Sequence, residues 1–164
     1  MTPPWTRVLL FLALFAGLQF AYTAAGQGRL ERFVIEELTV RPAATLLNTF
    51  DPDLAVEARG SRLAAPGGGL NVLGGCEGTD VALLLCSALL VARLGWRARC
   101  LGLVLGLLWV FTLNQVRIIA LFHAFRWHPP AFEVLHGSVL PLGMVLLAAS
   151  FFLLWTGRSS SKPV

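Results

Sequence analysis

The sequence predicts an all-α membrane protein with about four transmembrane helices. Hydrophobic residues make up 56% of the 164 residues and charged residues only 13%, which is far more apolar than a soluble domain of this size requires. Four long apolar runs each come close to the roughly 20 residues that a helix needs to cross a bilayer. They extend over residues 8–25, 78–94, 100–125 and 134–155. The net charge of +4 does not indicate nucleic-acid binding, because seven of the 13 basic residues flank these runs.

The individual runs differ in how clearly they predict a span. The first, 8–25, fits either a cleaved signal peptide or an uncleaved anchor; the anchor is favoured because only Arg7 precedes it and it is long for a signal peptide. The second, 78–94, is at the lower limit of length, but a short Arg-rich turn joins it to the third and so predicts an antiparallel transmembrane hairpin. In the fourth run, Pro141 predicts a kink.

The basic residues indicate the orientation of these helices. The turn at 93–99 carries three arginines, Arg7 precedes the first run, and two further basic residues follow the last one. The positive-inside rule therefore places both termini and this turn in the cytoplasm. The long segment 26–77 and the short loop 126–133 then face outward.

The outer segment 26–77 has two parts within a single domain that covers residues 1–164. Residues 30–50 have the periodicity of an amphipathic helix that Pro42 divides, and this helix is expected to lie on the membrane surface or to cap the bundle. The second part is rich in turn-forming residues. Its stretches around Val56 and Leu63 predict a short β-hairpin.

Arg117 is the only charged residue in the third run, 100–125. A cation in hydrocarbon is costly, so an arginine at this position indicates a functional site. The alternative is an arginine that snorkels toward the helix end at Phe125, ~12 Å away. The choice between the two depends on which other residues share its leaflet.

The predicted topology brings a cysteine, an arginine and a histidine to the outer leaflet, each on a different helix. Cys76 lies at the start of the second helix, where a helix N-terminus and a nearby cation favour the nucleophilic thiolate. His136 can act as base and then as acid toward a leaving amine, while Arg117 holds a developing oxyanion. Gly78 lets backbone N–H groups approach a ligand, and Asn114, one turn before Arg117, is placed to orient it.

The remaining polar candidates have simpler interpretations. Cys86 and Cys100 are typical of small buried hydrophobic residues. His123 and His128 fit polar residues at a membrane boundary. Glu133 precedes the fourth run and either orients the histidine three residues later or is a solvated acid. The cysteines form neither a CxxC motif nor a zinc-ligand spacing, so we expect no metal and no cofactor.

Three segments together resemble the exosortase/archaeosortase family, and the small exosortase H type in particular. They are Gly75-Cys76-Glu77-Gly78, Asn114-Gln115-Val116-Arg117-Ile118-Ile119, and His136. The resemblance covers residues 71–155, about half the chain. The asparagine–arginine segment with an upstream Cys-x-Gly is fairly specific, whereas the single histidine is a weak signal. Larger exosortases carry several more helices, which leaves open whether a partner or an oligomer completes the site.

The resemblance implies a function for these residues. Cys76 would be the nucleophile, Arg117 the essential basic residue and His136 the third member of a cysteine protease or transpeptidase that acts through a thioester. The expected partners are exported proteins anchored by a C-terminal motif, a transmembrane helix and a basic tail, together with the lipid bilayer, and no nucleic acid. The expected location is the bacterial inner membrane, multi-pass, with the active site facing the periplasm. The alternative is a non-enzymatic assembly or scaffold protein in which Arg117 pairs with Asp80 or Glu77.

Overall fold

The computed structural model describes residues 4–24 and 28–160. Helices dominate this part of the chain, with one small sheet between the third and fourth. The α-helices are α1 (Pro4–Ala24), α2 (Arg29–Phe33), α3 (Arg41–Phe50), α4 (Thr79–Val91), α5 (Trp96–Trp127), α6 (Pro129–Val134) and α7 (Leu140–Ser160). The strands are β1 (Glu57–Arg59), β2 (Arg62–Ala65) and β3 (Gly68–Asn71). π-Helical segments occupy Val34–Val40 and Leu135–Val139, and a 3₁₀ turn occupies Pro52–Leu54.

The prediction of an all-α membrane protein is confirmed, but the count of four spans is not. Three helices in the described residues are long and apolar enough to cross a membrane: Trp5–Ala24, Trp96–Trp127 and Pro129–Arg158. The second run forms only α4, whose 13 residues extend about 20 Å, whereas the hydrocarbon core is about 30 Å thick. Gly78 caps the start of α4 in the left-handed conformation and Ala92 leaves it in an extended one, so the helix is shorter than the apolar run.

The long helices and α4 pack as an antiparallel bundle with two different ends. Near the end of α1, Gln19 donates a hydrogen bond to Asp80 at the start of α4. At the other end of the bundle, the Trp155 indole donates to the carbonyl of Ala98 at 3.0 Å. This second end is called the basic end, and it is defined by Arg7, Arg93, Arg97 and Arg99.

At the opposite end, residues 29–71 fold into a cap. Its α2, π-helical and α3 segments form one continuous helix, as the amphipathic pattern predicted. The predicted hairpin is also confirmed, since β1 and β2 pair antiparallel. The structure adds β3 to this hairpin in the order β1-β2-β3. Gly67 and Gly68, with φ of 83° and 141°, form the turn that leads into β3.

Pro42 explains both the irregular helix of the cap and its attachment to α5. Proline has no N–H, so the Leu38 carbonyl four residues earlier lacks its usual helical donor. The Gln115 side chain of α5 donates to that carbonyl at 3.0 Å. Within the π-helical segment, the Thr39 hydroxyl donates to the Val34 carbonyl at 3.0 Å. The cap is thereby fixed to the long helix by a hydrogen bond between distant parts of the chain.

The molecule contains two hydrophobic cores, and α5 contributes to both. The cap core consists of Ile35, Val40, Ala43, Ala44, Leu47, Leu54, Val56, Leu63, Leu70, Val72, Ile118, Leu121 and Phe122. The bundle core consists of Leu85, Leu89, Leu94, Val110, Met144 and Ala148. The last third of the apolar run at 100–125 therefore belongs to the cap core. Between the two cores α5 presents Asn114, Gln115 and Arg117, all buried polar residues.

Candidate active site

Cys76 lies in the turn that connects the cap to α4. Its backbone N–H donates to the Leu73 carbonyl at 3.0 Å, and its half-buried side chain packs against the cap core. The helix begins three residues later at Thr79, with Gly78 as the N-cap residue. Cys76 therefore precedes the helix N-terminus, where the sequence had placed it directly. A turn of this kind leaves its backbone groups outside the helical hydrogen bonding.

Gly78 is required at its position for two reasons. Its φ of 76° is a conformation that L side chains rarely adopt, and a Cβ added to it would lie 3.0 Å from Asn114 Cγ. Asn114 is only 2% exposed, and its Oδ1 has no hydrogen-bond partner among the described residues. The sequence predicted that Asn114 orients Arg117. The structure instead places the Asn114 carboxamide against the turn that carries Cys76.

Arg117 lies at the junction of the two cores, next to Ile118 of the cap core. It is 6% exposed, its Nη1 is 4.0 Å from the sulfur of Met144 in the bundle core, and its Nε has no partner in the described part of the chain. A thioether is a weak acceptor, so this contact leaves most of the guanidinium hydrogen-bonding capacity unused.

The ion pair on which the scaffold interpretation depends is absent from residues 4–24 and 28–160. There, Asp80 accepts a hydrogen bond from Gln19 at 2.6 Å, and Glu77 accepts one from Tyr22 at 3.3 Å. The salt bridges found in this part of the chain are both in the cap, Arg41–Glu37 and Arg59–Glu57. The predicted structural pairing of Arg117 with Asp80 or Glu77 is therefore wrong for this conformation.

His136 lies in the π-helical turn Leu135–Val139, directly before the proline that was predicted to kink this helix. Its ring stacks on Phe132 with centroids 5.4 Å apart and an interplanar angle of 4°. Its Nδ1 is buried without a partner among the described residues, and Glu133 is exposed. Glu133 therefore does not orient the imidazole through Nδ1. π-Helical turns are frequent at functional sites.

His123 is the other buried histidine. It stacks on Trp127 with centroids 4.6 Å apart and meets Phe122 edge-on at 5.9 Å. Its Nδ1 also lacks a partner in the described residues, whereas His128 is exposed. These aromatic contacts fix the His123 ring at the far end of α5, beyond the layer that holds Arg117.

Several polar residues near Cys76 were missed by the sequence reasoning. The Tyr22 hydroxyl donates to Glu77 at 3.3 Å and accepts from Thr79 at 3.4 Å, and with Gln19 and Asp80 it ties α1 to the start of α4. The available signal was the presence of glutamine and tyrosine near the end of an otherwise apolar run. The partners themselves are more than 50 residues away in sequence, so the pairing could not be inferred.

The buried polar atoms without hydrogen-bond partners in the described residues concentrate in this layer between the cores. They are Glu77 Oε2, Asn114 Oδ1, Gln115 Oε1, Arg117 Nε, His136 Nδ1 and, at its margins, Gln19 Oε1 and His123 Nδ1. Buried polar groups are almost always satisfied in native structures. This layer is therefore suited to bind polar groups of water or of a ligand.

The depth of this layer follows from helix geometry. Gly78 lies about 20 Å along α4 from the basic end, and Arg117 lies about 27 Å along α5 from Arg99. Both distances fall within the cap-side part of a hydrocarbon core about 30 Å thick. Non-helical backbone at such a depth is tolerated only where protein buries it or where it lines a water-filled cavity. The turn that carries Cys76 therefore depends on the surrounding polar layer.

The fold and this layer define a multi-pass membrane protein with a thiol, a guanidinium group and an imidazole set around two joined cores. The family model for transmembrane exosortases (Exosortase_EpsH) matches residues 3–156. The chain belongs to this family. No curated protein and no solved structure matches it. Gly78 and Asn114 are in contact, and Cys76 and Phe132 pack on the same cap core. The convergence of Cys76, Arg117 and His136 on one substrate stays a prediction.

Proposed function

We propose that this exosortase is a membrane thiol protease or transpeptidase in which Cys76 attacks a backbone carbonyl of a membrane-anchored protein. The observation that carries the proposal is Arg117, a guanidinium group buried to 6% exposure without a carboxylate partner in the described residues. A buried cation of this kind destabilises the fold unless a ligand compensates it. A developing oxyanion or a substrate carbonyl supplies that compensation.

The reaction begins at the Cys76 sulfur. His136 accepts the thiol proton, and the thiolate forms a C–S bond to the substrate carbonyl carbon, whose oxygen becomes an oxyanion held by Arg117. The C–N bond then breaks, and His136 returns the proton to the leaving amine. The substrate helix and basic tail depart with this new amino terminus, and the rest of the substrate remains as a thioester on Cys76.

An acceptor resolves the thioester. Its nucleophilic oxygen or nitrogen attacks the carbonyl carbon, His136 takes its proton, and the C–S bond breaks to regenerate the Cys76 thiol. Water gives a free carboxylic acid, whereas a hydroxyl or amine of a lipid or polysaccharide gives an ester or an amide. The unsatisfied polar atoms in the layer around Arg117 support access of such polar acceptors to the site.

The sidedness of the site follows from the basic end. Arginines at short connections stay in the cytoplasm, so we place Arg93–Arg99 inside, and the cap and Cys76 on the periplasmic side of the inner membrane. To test this, a membrane-impermeant thiol reagent is applied to intact spheroplasts carrying a variant with Cys86 and Cys100 changed to alanine. We expect labelling of Cys76 before lysis. Labelling that requires lysis would reverse the topology.

The activity is tested by co-expression with a candidate substrate that ends in a short motif, one apolar helix and a basic tail. We expect Cys76→Ala to abolish release of the tail. Cys86→Ala and Cys100→Ala are matched controls, because both remove a thiol away from the layer, and they should retain wild-type release. Normal release by Cys76→Ala would eliminate it as the nucleophile. If Arg117→Lys also released the tail normally, the scaffold function would replace this proposal.

A further inference from the structure

An apolar groove runs between α1, α4 and α7 at the basic end of the bundle. Its volume is about 360 Å³, within the range of small-molecule sites. Val8, Phe11, Ala88, Val91 and Phe152 form its walls, and Arg7 lies at its mouth. The most apolar stretch of α1 buries none of its residues inside the protein. Since α1 is tied to α4 only near its other end, by Gln19 and Tyr22, the groove separates it from the bundle.

The groove continues toward the middle of the bundle. A second hollow of about 120 Å³ shares Phe11, Ala88 and Phe152 with the first and extends to Leu84 on α4. From Ala92 at the mouth to Leu84, the path covers about 12 Å along the helix. The walls of this inner part are entirely apolar. The whole therefore has the form of a narrow apolar channel with one charged opening.

The charges around the opening are all positive. The nine acidic residues of the chain lie within residues 31–80 and at Glu133, so the basic end has no carboxylate. Arg99 donates from Nη2 to the carbonyl of Ala92, which lines the groove, at 3.3 Å. Arg93 is the next residue and is exposed. The counterion for these arginines must come from outside the protein.

We propose that this groove is a binding site for one anionic phospholipid, with an acyl chain along the groove and the phosphate near Arg7, Arg93 and Arg99. A transmembrane helix does not fit, because a single helical turn 10 Å wide occupies about 420 Å³, more than the whole opening section. A zwitterionic headgroup is less favourable, because no carboxylate at this end can bind its cationic part. The lipid would fill the gap between α1 and the bundle.

Native mass spectrometry of the full chain, released from nanodiscs of equimolar phosphatidylglycerol and phosphatidylcholine, tests the proposal. We expect wild-type protein to retain one phosphatidylglycerol preferentially. Arg7→Gln should reduce the ratio of the two bound lipids about fivefold, the effect expected for one arginine at a membrane surface. Arg97→Gln is the matched control, because it removes the same charge at the same end outside the groove, and it should preserve the ratio.

A second variant separates the groove from general charge attraction. Ala88→Phe should fill the groove and eliminate retention of either lipid, while Arg7→Lys should keep both the fold and the preference. The proposal fails if Arg97→Gln lowers the ratio as much as Arg7→Gln, or if Ala88→Phe retains phosphatidylglycerol. It also fails if inorganic phosphate alone displaces the bound lipid, since the acyl chain would then contribute nothing.

Discussion

The cap core and the bundle core are built on the same helix but in different solvents. The cap core gathers residues from α3, the small sheet and the last third of α5, and Leu63 and Phe122 within it are completely buried. Its formation removes apolar surface from water, which is the main driving force of folding in soluble domains. The bundle core is smaller and lies where lipid is as apolar as the side chains themselves. Close packing rather than the hydrophobic effect must therefore stabilise it.

The glycines of α5 show how that packing is achieved. Gly102 and Gly106 are buried, and a Cβ at Gly106 would lie 3.0 Å from Leu85 and 3.2 Å from Phe151. Small residues let neighbouring helices approach in a membrane. Where this mode of packing gives way to the cap core, α5 carries Arg117 and its polar neighbours. A junction between two solvents is thus where this chain places groups that neither core can satisfy.

The largest expected effect comes from removing the charge at that junction. Arg117→Met keeps the length and flexibility of the side chain and its packing against Met144, but it removes the cation. We expect release of the substrate tail to fall at least about 100-fold, the typical result of losing an oxyanion donor. Thermal stability should stay constant or rise, because an uncompensated buried charge is eliminated.

The control for Arg117 is Arg126, whose Nη1 donates to the Pro66 carbonyl at 2.9 Å within the cap. Arg126→Met should leave tail release near the wild-type rate. The two measurements are tail release in cells and thermal unfolding of purified protein in nanodiscs. A large loss of stability together with a loss of activity in Arg117→Met would mean that Arg117 stabilises the fold, and the junction would then be structural.

The difference between the two cores can be measured with a matched pair of leucines. Leu63 in the cap core and Leu89 in the bundle core are both 0% exposed. Leu63→Ala should cost about 3 kcal/mol, because it loses both transfer free energy and packing. Leu89→Ala should cost about half as much, because only packing is lost in lipid. Chemical unfolding of both variants in the same nanodiscs gives the comparison, and equal costs would contradict it.

Much of the fold could be predicted because its signals are local. Long apolar runs, Pro42 and the turn residues between Val56 and Leu63 fix the long helices, the divided cap helix and the hairpin. The length of α4 was overestimated, because hydropathy does not register that Gly78 and Ala92 leave the helical conformation. The strand β3 was missed because a run of glycines is typical of a loop, and only pairing with β2 makes it a strand.

The site was predictable only as far as topology carries it. The reversal of the chain at successive helices indicated a common depth for Cys76, Arg117 and His136. The contact of Asn114 with Gly78 and the bond from Gln115 to the Leu38 carbonyl depend on the rotation of each helix. A single sequence contains no signal for that rotation when the helix is apolar on all sides.

A smaller effect tests the close packing of the bundle. The space that a Cβ on Gly102 would require is occupied by the Trp155 indole, which bonds to Ala98. Gly102→Ala should therefore displace the indole and cost about 1–3 kcal/mol. A Cβ on Gly143 meets nothing within 4 Å, so Gly143→Ala should be neutral or stabilise α7 by up to about 1 kcal/mol. Thermal unfolding measures both, and the same sign for both variants would contradict the packing argument.

The smallest expected effect concerns the hydrogen bonds that attach α1. Tyr22→Phe removes the bonds to Glu77 and Thr79, whose lengths of 3.3 and 3.4 Å are at the weak end of the range. Hydrogen bonds between membrane helices contribute about 0.6 kcal/mol on average, so the loss of stability should stay below about 1 kcal/mol. Because Glu77 directly follows Cys76, the same variant should lower tail release more than it lowers stability. An unchanged rate of release would show that the Cys76 turn is held by Asn114 and the cap alone.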